Sequence, residues 1–336
     1  MAGMAERGRV LGQLLSWLVL APAVAWGSAA LWFDGPAERW LAGLLAAGFA
    51  LGAVAALGLL RPFRLAAAAV LAAFVLLLAW WLNIPPSNDG DWQADVAQLP
   101  SASIVGDILT VRNVRNFDYR SETDYAPRWE TRSYDLRQLR GADLFLSYWG
   151  PTLIAHTIMS WEFADGRHLA VSIETRKKKG QTYSAVLGFF RQYEIYYVVA
   201  DERDVVGLRA AHRGEQVFLY RLKNPPALAR AVLLDYLKEV NRLDAKAEWY
   251  NALVHNCTTT IRHHAQNVAA GRPFDWRILA NGHIDEMGYE RGQIDTSLPF
   301  AELRRRSDIT AKARAAASDP GFSRIIRENL PGGHPP

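Results

Sequence analysis

Residues 153–176, LIAHTIMSWEFADGRHLAVSIETR, decide how the chain is read. Two runs rich in β-branched, aromatic and aliphatic residues flank Asp165-Gly166, a pair that tolerates the left-handed backbone of a tight turn. The pattern predicts an antiparallel hairpin. With a two-residue turn there, His156 faces Thr175, and a one-residue bulge or slip brings Glu174 opposite instead. Similar runs at 104–112, 143–148, 193–199, 204–210 and 216–222 extend the expectation to a mainly antiparallel sheet. The character then changes. Pro225 and Pro226 suit a helix start, and residues 227–249 place Leu228, Val232, Leu233, Tyr236, Leu237 and Val240 on one face of a long helix. Residues 272–336 read as shorter helices and loops with a flexible PGGHPP tail. Strands first and helices after them point to an α+β fold, an antiparallel sheet with packed helices.

The first 82 residues are of another kind. Segments 10–33, 40–60 and 65–82 contain no Asp, Glu, Lys or Arg, and each approaches the roughly 20 residues a helix needs to cross a bilayer. Three transmembrane helices are expected, with several of Trp17, Trp26, Trp32, Trp40, Trp80 and Trp81 at span ends. Arg7, Arg9, Arg61 and Arg64 put the N-terminus and the second turn in the cytoplasm by the positive-inside rule, so the chain after residue 82 lies on the far side. A cleaved signal peptide over residues 1–25 is the competing reading and leaves that outcome unchanged. The expected organisation is a membrane anchor at 1–82, a linker at 83–101 rich in Pro, Asn and Asp, a globular domain at 102–310, and a helical extension and tail at 311–336. The formal charge of +4 is modest, and Lys177 to Lys179 and Arg304 to Arg306 read as solvated or lipid-facing rather than nucleic-acid binding.

The chain has one cysteine, Cys257, within WYNALVHNCTTTIRHHAQ at 249–266. Asn256 is a good N-cap and Thr258 to Thr260 suit a first turn, which places the sulfur at the positive end of a helix dipole, where thiolate is favoured. A cysteine nucleophile needs a base. His264 falls about 10 Å along the same helix, and His263 and His264 read better as a helix edge or a cap on a neighbouring carbonyl. His156, on the hairpin, is the preferred base, with Glu174 to orient its ring and Ser172 or Thr175 as alternatives. Arg176, Tyr183, Arg191 and Tyr193 could hold a phosphate or carbonyl, or serve as ion pairs and aromatic packing. Trp149, Trp161 and Phe163 read as core or as the lining of an apolar groove. No spaced Cys/His/carboxylate set suggests a metal, and no cofactor is implied.

The blocks NVRNFDYRSETDY, WETRSYDL, DLFLSYWG, the long run from AHTIMSWEF to ERDVVGLR, HNCTTTIR and IDTSLPFAELR resemble the Lnb N-terminal periplasmic domain family. The resemblance covers roughly residues 100–310. It implies a permuted papain-like fold, related to NlpC-type peptidases and lecithin:retinol acyltransferase, in which the His-bearing strands precede the Cys-bearing helix. It carries the nucleophile onto Cys257, the base onto His156 and the third member onto Glu174; from its place at the helix start, Asn256 is expected to join the backbone N–H groups that would hold the oxyanion. It further implies N-acylation of lipoproteins through an enzyme thioester, a membrane lipid being the acyl donor and a lipoprotein the acceptor, at the bacterial inner membrane with the domain in the periplasm. A thiol amidase acting on cell-wall peptide or lipoproteins, and a non-catalytic envelope scaffold, are the other expectations such a domain allows.

Overall fold

The computed structural model describes residues 2–252, 257–268, 275–278 and 280–334. Two compact units emerge, Met1–Pro86 with Ser184–Tyr193, and Ser87–Tyr183 with Glu194–Pro336. In the first, α1 (Ala2–Asp34), α2 (Arg39–Leu59) and α3 (Phe63–Leu82) form a bundle. Their segments Leu11–Asp34, Arg39–Leu59 and Phe63–Leu82 are each long and apolar enough to cross a membrane. The packing is inside-out relative to a water-soluble bundle: Leu18, Leu51, Leu65 and Leu76 point outward, while small Ala42, Ala53 and Ala66 are buried and let the helices approach.

The second unit is built on β1 (Ser101–Val105), β2 (Ile108–Arg115), β5 (Trp129–Asp135), β6 (Leu139–Tyr148), β7 (His156–Phe163), β8 (His168–Arg176), β9 (Glu194–Ala200) and β10 (Gln216–Arg221). A small ribbon pairs β3 (Asp118–Tyr119) with β4 (Tyr125–Ala126). The main sheet runs β1-β2-β9-β8-β7-β6-β10 with β5 also on β2, and every pairing is antiparallel except β2 with β9. Around it lie α4 (Glu202–Gly207), a π-helical turn at Leu208–His212, α5 (Pro226–Ala245), α6 (Cys257–Val268), α7 (Ile284–Glu290), α8 (Phe300–Ser307), α9 (Thr310–Ala315) and α10 (Phe322–Ile325).

Side chains alternate across each strand, so the sheet has two distinct faces. One carries Phe145, Ile158, Ala170, Val198 and Ala200, and packs on Val205, Val206 and Ala210 of α4 and the π turn and on Ala313 and Phe322 of α9 and α10. The other carries Trp161 and Tyr197, which meet Tyr236 of α5 edge-on at 5.1 and 5.9 Å. The result is an α+β fold with helices on both faces.

Four expectations change. Residues 204–210 are helical rather than a strand, because Asp201 caps the turn through Arg203 N at 3.0 Å and Glu202 and Asp204 favour its N-terminal end. The run 104–112 is two strands joined at Gly106, whose φ is +62°. Part of the expected linker is core, since Trp92 and Val96 are buried. The C-terminal extension is core as well: Arg327, at 8% side-chain exposure, binds Asp143 and Glu202 at 2.6 Å each, and His334 of the expected flexible tail lies 3.1 Å from Asp143.

The segment leading into β7 is fixed by a strap. Asn281 Oδ1 accepts from Ala155 N at 2.8 Å, Gly282 N donates to Leu153 O at 3.0 Å, and Tyr148 Oη donates to Gly282 O at 2.7 Å. A Cβ on Gly282 would stand 1.8 Å from Thr152 O. Gly282→Ala is therefore expected to cost about 2–3 kcal/mol and to raise hydrogen exchange across residues 152–156. Unchanged exchange in that stretch would sink the strap.

Candidate functional site

The hairpin that carries the site closes with three residues rather than two. Phe163 N donates to Arg167 O, and Gly166 N to Phe163 O, both at 3.0 Å, with Gly166 at φ +82°. This sets Ile158 opposite Ser172, a register that continues to His156 level with Glu174 rather than with Thr175. Thr175 therefore points to the other face. The shift by one residue assembles the polar centre.

His156 Nε2 lies 2.6 Å from Ser172 Oγ, and Ser172 Oγ donates to Glu174 Oε1 at 2.9 Å. Arg209, on the π turn, donates to Glu174 Oε1 at 3.0 Å and to Glu215 Oε2 at 3.0 Å, and Ser147 Oγ donates to the same Glu215 oxygen. Side-chain exposures of 12% for His156 and 6% for Arg209 put the chain of contacts largely out of water. Its polarity follows from counting protons. The Ser172 hydroxyl has one hydrogen, and the carboxylate can only accept it, so His156 must donate its Nε2–H to Ser172. That leaves Nδ1 as the lone-pair nitrogen.

Burial and then the Arg209 charge push His156 down to about 3, against the pull of Glu174. Burial opposes ionisation of Glu174, yet Arg209 and then His156 hold it well below the usual carboxylate range. At neutral pH the centre thus holds a neutral imidazole, an ionised Glu174 and a charged Arg209. Ser172 is the direct partner of the ring; Glu174 Oε1 stands 3.8 Å from Nε2 and acts through the serine. Arg209 and Glu215 were not singled out from the sequence, because the π turn that aims Arg209 inward was read as strand.

Of the residues assigned to substrate, Arg176 is occupied elsewhere. It is buried, stacks over Trp92 at 4.2 Å and donates to the carbonyls of Val96 and Ala97 at 3.0 Å. Tyr183 is 51% exposed. Trp161 and Phe163 are core, while Trp149 is exposed. Asn256 lies outside the described residues, as does the side chain of Cys257, whose backbone begins α6.

Helix α6 is held by a second polar chain. His264, buried rather than at a helix edge, has Nδ1 2.7 Å from Asp235 Oδ2 on α5 and Nε2 2.7 Å from Tyr197 Oη on β9. The carboxylate accepts from Nδ1, so Nε2 accepts from the tyrosine, and neither nitrogen is left to serve as a base. Tyr197 and Ser172 have opposite parity in the β8–β9 ladder, where Ile173 opposes Tyr197 and Ser172 opposes Val198. Helix α6 and the His156–Ser172–Glu174 chain therefore belong to opposite faces of the sheet. A further cluster, Asp143, Glu162 and His168, brings ligand-type atoms within 4.8 Å of one another. Arg327 and Arg221 already bind Asp143, and Arg221 also binds Glu162, so guanidinium charge takes the place a metal ion would fill.

Acid should undo the hairpin centre. The unfolded chain takes up protons on His156 below its ordinary 6.5 and on Glu174 below 4.5, while the folded chain resists both. Their contribution is intact above pH 6.5 and is lost as pH falls below it. Arg209→Gln is expected to raise the His156 pKa toward its ordinary value in an NMR titration and, by stranding the buried Glu215 and the half-buried Glu174, to cost about 3–5 kcal/mol in denaturant unfolding. A His156 titration unmoved by that change would contradict this account of the site.

No curated protein and no solved structure matches the chain. Residues 125–282 match the family described as the Lnb N-terminal periplasmic domain, a segment that runs from β4 through the hairpin, Arg209 and α6 to Gly282 of the strap. The family resemblance of the sequence is thereby borne out by a family match over residues 125–282, in a chain that also carries three helices able to cross a membrane.

Proposed function

We propose that this is a multi-pass inner-membrane protein whose periplasmic domain is a thiol acyltransferase with a permuted papain-like arrangement. Cys257 attacks the ester carbonyl of a membrane phospholipid. His156 Nδ1 takes the thiol proton and returns it to the leaving alkoxide, the carbonyl carbon passing from oxygen to sulfur as a thioester. A lipoprotein amine then displaces the thiol, giving an amide and restoring Cys257. Backbone N–H groups at the start of α6, with Asn256, hold the oxyanion.

The observation that carries this reading is the fixed tautomer of His156: Nε2–H is committed to Ser172 and Glu174, leaving Nδ1 as the proton acceptor. His264 has no nitrogen to spare, which leaves His156 as the better base. Because α6 packs on the opposite face, the sulfur meets the imidazole around the end of the sheet and not across a face. His156 is the first residue of β7, and the chain ahead of α6 passes that same end, where Trp249 bridges Glu194, the first residue of β9. With His156 pushed to about 3, the resting imidazole is neutral and its Nδ1 lone pair is open to the thiol proton.

Full-length protein incubated with phospholipid should yield a hydroxylamine-sensitive fatty-acyl adduct on Cys257 by mass spectrometry. His156→Ala is expected to slow adduct formation by about 10²–10⁴-fold and Cys257→Ala to abolish it. A peptidyl adduct would instead identify an amidase acting on cell-wall peptide or lipoproteins. Full cellular function in Cys257→Ala would leave a non-catalytic envelope scaffold.

A further inference from the structure

The connection between β8 and β9 contains the segment Ser184–Tyr193, SAVLGFFRQY, which clusters with the three long helices rather than with the sheet that supplies its ends. Residues 184–190 carry no charge. Phe190 is buried, with its ring 5.0 Å from that of Phe33 and stacked on Trp26 at 6.2 Å. The next two residues tie the segment to the end of α1. Gln192 Nε2 donates to Asp34 Oδ1 at 2.6 Å and to Phe33 O at 2.9 Å, Arg191 N donates to Asp34 Oδ2 at 3.2 Å, and the Arg191 guanidinium lies 4.1 Å over Trp81.

These contacts give a depth. Trp26 lies eight residues before Asp34 in α1, about 12 Å along the helix axis. The span Leu11–Asp34 has 24 residues, about 36 Å of helix against a hydrocarbon core of about 30 Å, so the core begins roughly 3 Å inside the span end. Phe190, wedged between Phe33 and Trp26, falls below that boundary. An independent marker gives the same level. Trp32 near the end of α1, Trp40 at the start of α2 and Trp80 near the end of α3 are 43%, 72% and 41% exposed, an aromatic belt at this end of the bundle. At this level the same short segment turns Val186, 59% exposed, and Phe189, 37% exposed, away from protein.

We propose that Ser184–Tyr193 is a membrane-embedded loop, and that Val186 and Phe189 contact the acyl chains of the leaflet in which α1 and α3 end. The occupant is lipid because Phe190 and Gln192 seat the segment on the spans at the depth of their tryptophan belt, where its exposed side chains are uncharged. Phe190 pins the loop to the bundle; Arg191 and Gln192 sit at the polar boundary; the uncharged residues before them dip into the chains. The proposal depends on the spans and not on any reaction at Cys257, so each can fail without the other.

The test uses the full chain in nanodiscs of phosphatidylglycerol and phosphatidylcholine. In a Cys257→Ala background, which removes the only cysteine, Val186→Cys and Phe189→Cys are each labelled with an environment-sensitive fluorophore, alongside Arg140→Cys on an exposed position of β6. Both loop positions are exposed, so the substitutions leave the packing of Phe190 untouched. Lipids with a nitroxide on the acyl chain are expected to quench the loop labels several-fold more than the Arg140→Cys label, and aqueous iodide to quench them several-fold less. Iodide quenching equal to that of Arg140→Cys would place the loop in water and overturn the proposal. Labels protected from both quenchers would show a protein partner over the patch and overturn it equally.

Discussion

One buried guanidinium holds the polar centre of the sheet-containing unit together. Arg209 bridges Glu174 from β8 and Glu215 from the approach to β10, and its own carbonyl accepts from Glu215 N at 3.0 Å. Without it two carboxylates would face each other in a place with little water, at a cost no nearby apolar packing could offset. Its position requires the π turn at Leu208–His212, where the extra residue per turn rotates Arg209 inward beneath β8. From this one placement follows the ionisation of Glu174; it adds to the burial that keeps His156 neutral, and the ionised Glu174, through Ser172, sets the direction in which the imidazole is turned. Buried ion pairs of this sort add little net stability; they select one arrangement over its neighbours.

The two faces of the sheet divide the labour. One buries a charged scaffold in which Arg327, from the last helical segment, closes on Asp143 of β6 and Glu202 of α4, so the C-terminal residues belong to the fold rather than trailing from it. The other is aromatic and carries the helices α5 and α6, joined to each other and to β9 through Asp235, His264 and Tyr197. That latch fixes α6 along its length with a neutral histidine used as donor on one side and acceptor on the other. The proposed nucleophile at the start of that helix would be positioned by a rigid element rather than by a loop, the condition under which a catalytic atom can be held to a fraction of an ångström.

The three long helices, each long and apolar enough to cross a membrane, follow the packing rules of a lipid solvent. Apolar residues face outward, small residues face each other, and polar groups such as Asp34 find partners at the ends. The segment Ser184–Tyr193 leaves the sheet and joins that environment with the composition the environment demands, uncharged until Arg191. An acyltransferase of the proposed kind, anchored in a bilayer, would meet lipid esters without extracting them into water, which is the physical advantage of such an anchor for the proposed chemistry.

Much of this was legible in the residues. The long uncharged runs, the Pro-initiated α5, the hairpin at Asp165-Gly166 and the partnership of His156 with Ser172 and Glu174 are local or nearly local patterns, and local periodicity encodes them directly. The hairpin register was open by one residue, since a three-residue loop with Gly166 left-handed and a two-residue turn share the same signal. The run 204–210 misled because DVVGLRA is apolar enough for a strand, and only the Asp201 cap marks it as helix. Which segments seek lipid, which pair as strands and which face of α5 is buried can be read from the chain alone, because these depend on each residue's own affinity for water. That Arg209 charges the site, that His264 is a latch, that α6 lies across the sheet from His156 and that the tail is core emerges only in the folded chain. Those facts arise from residues dozens of positions apart meeting where water is excluded, and a charge buried there is defined by its partner, not by its neighbours in the chain.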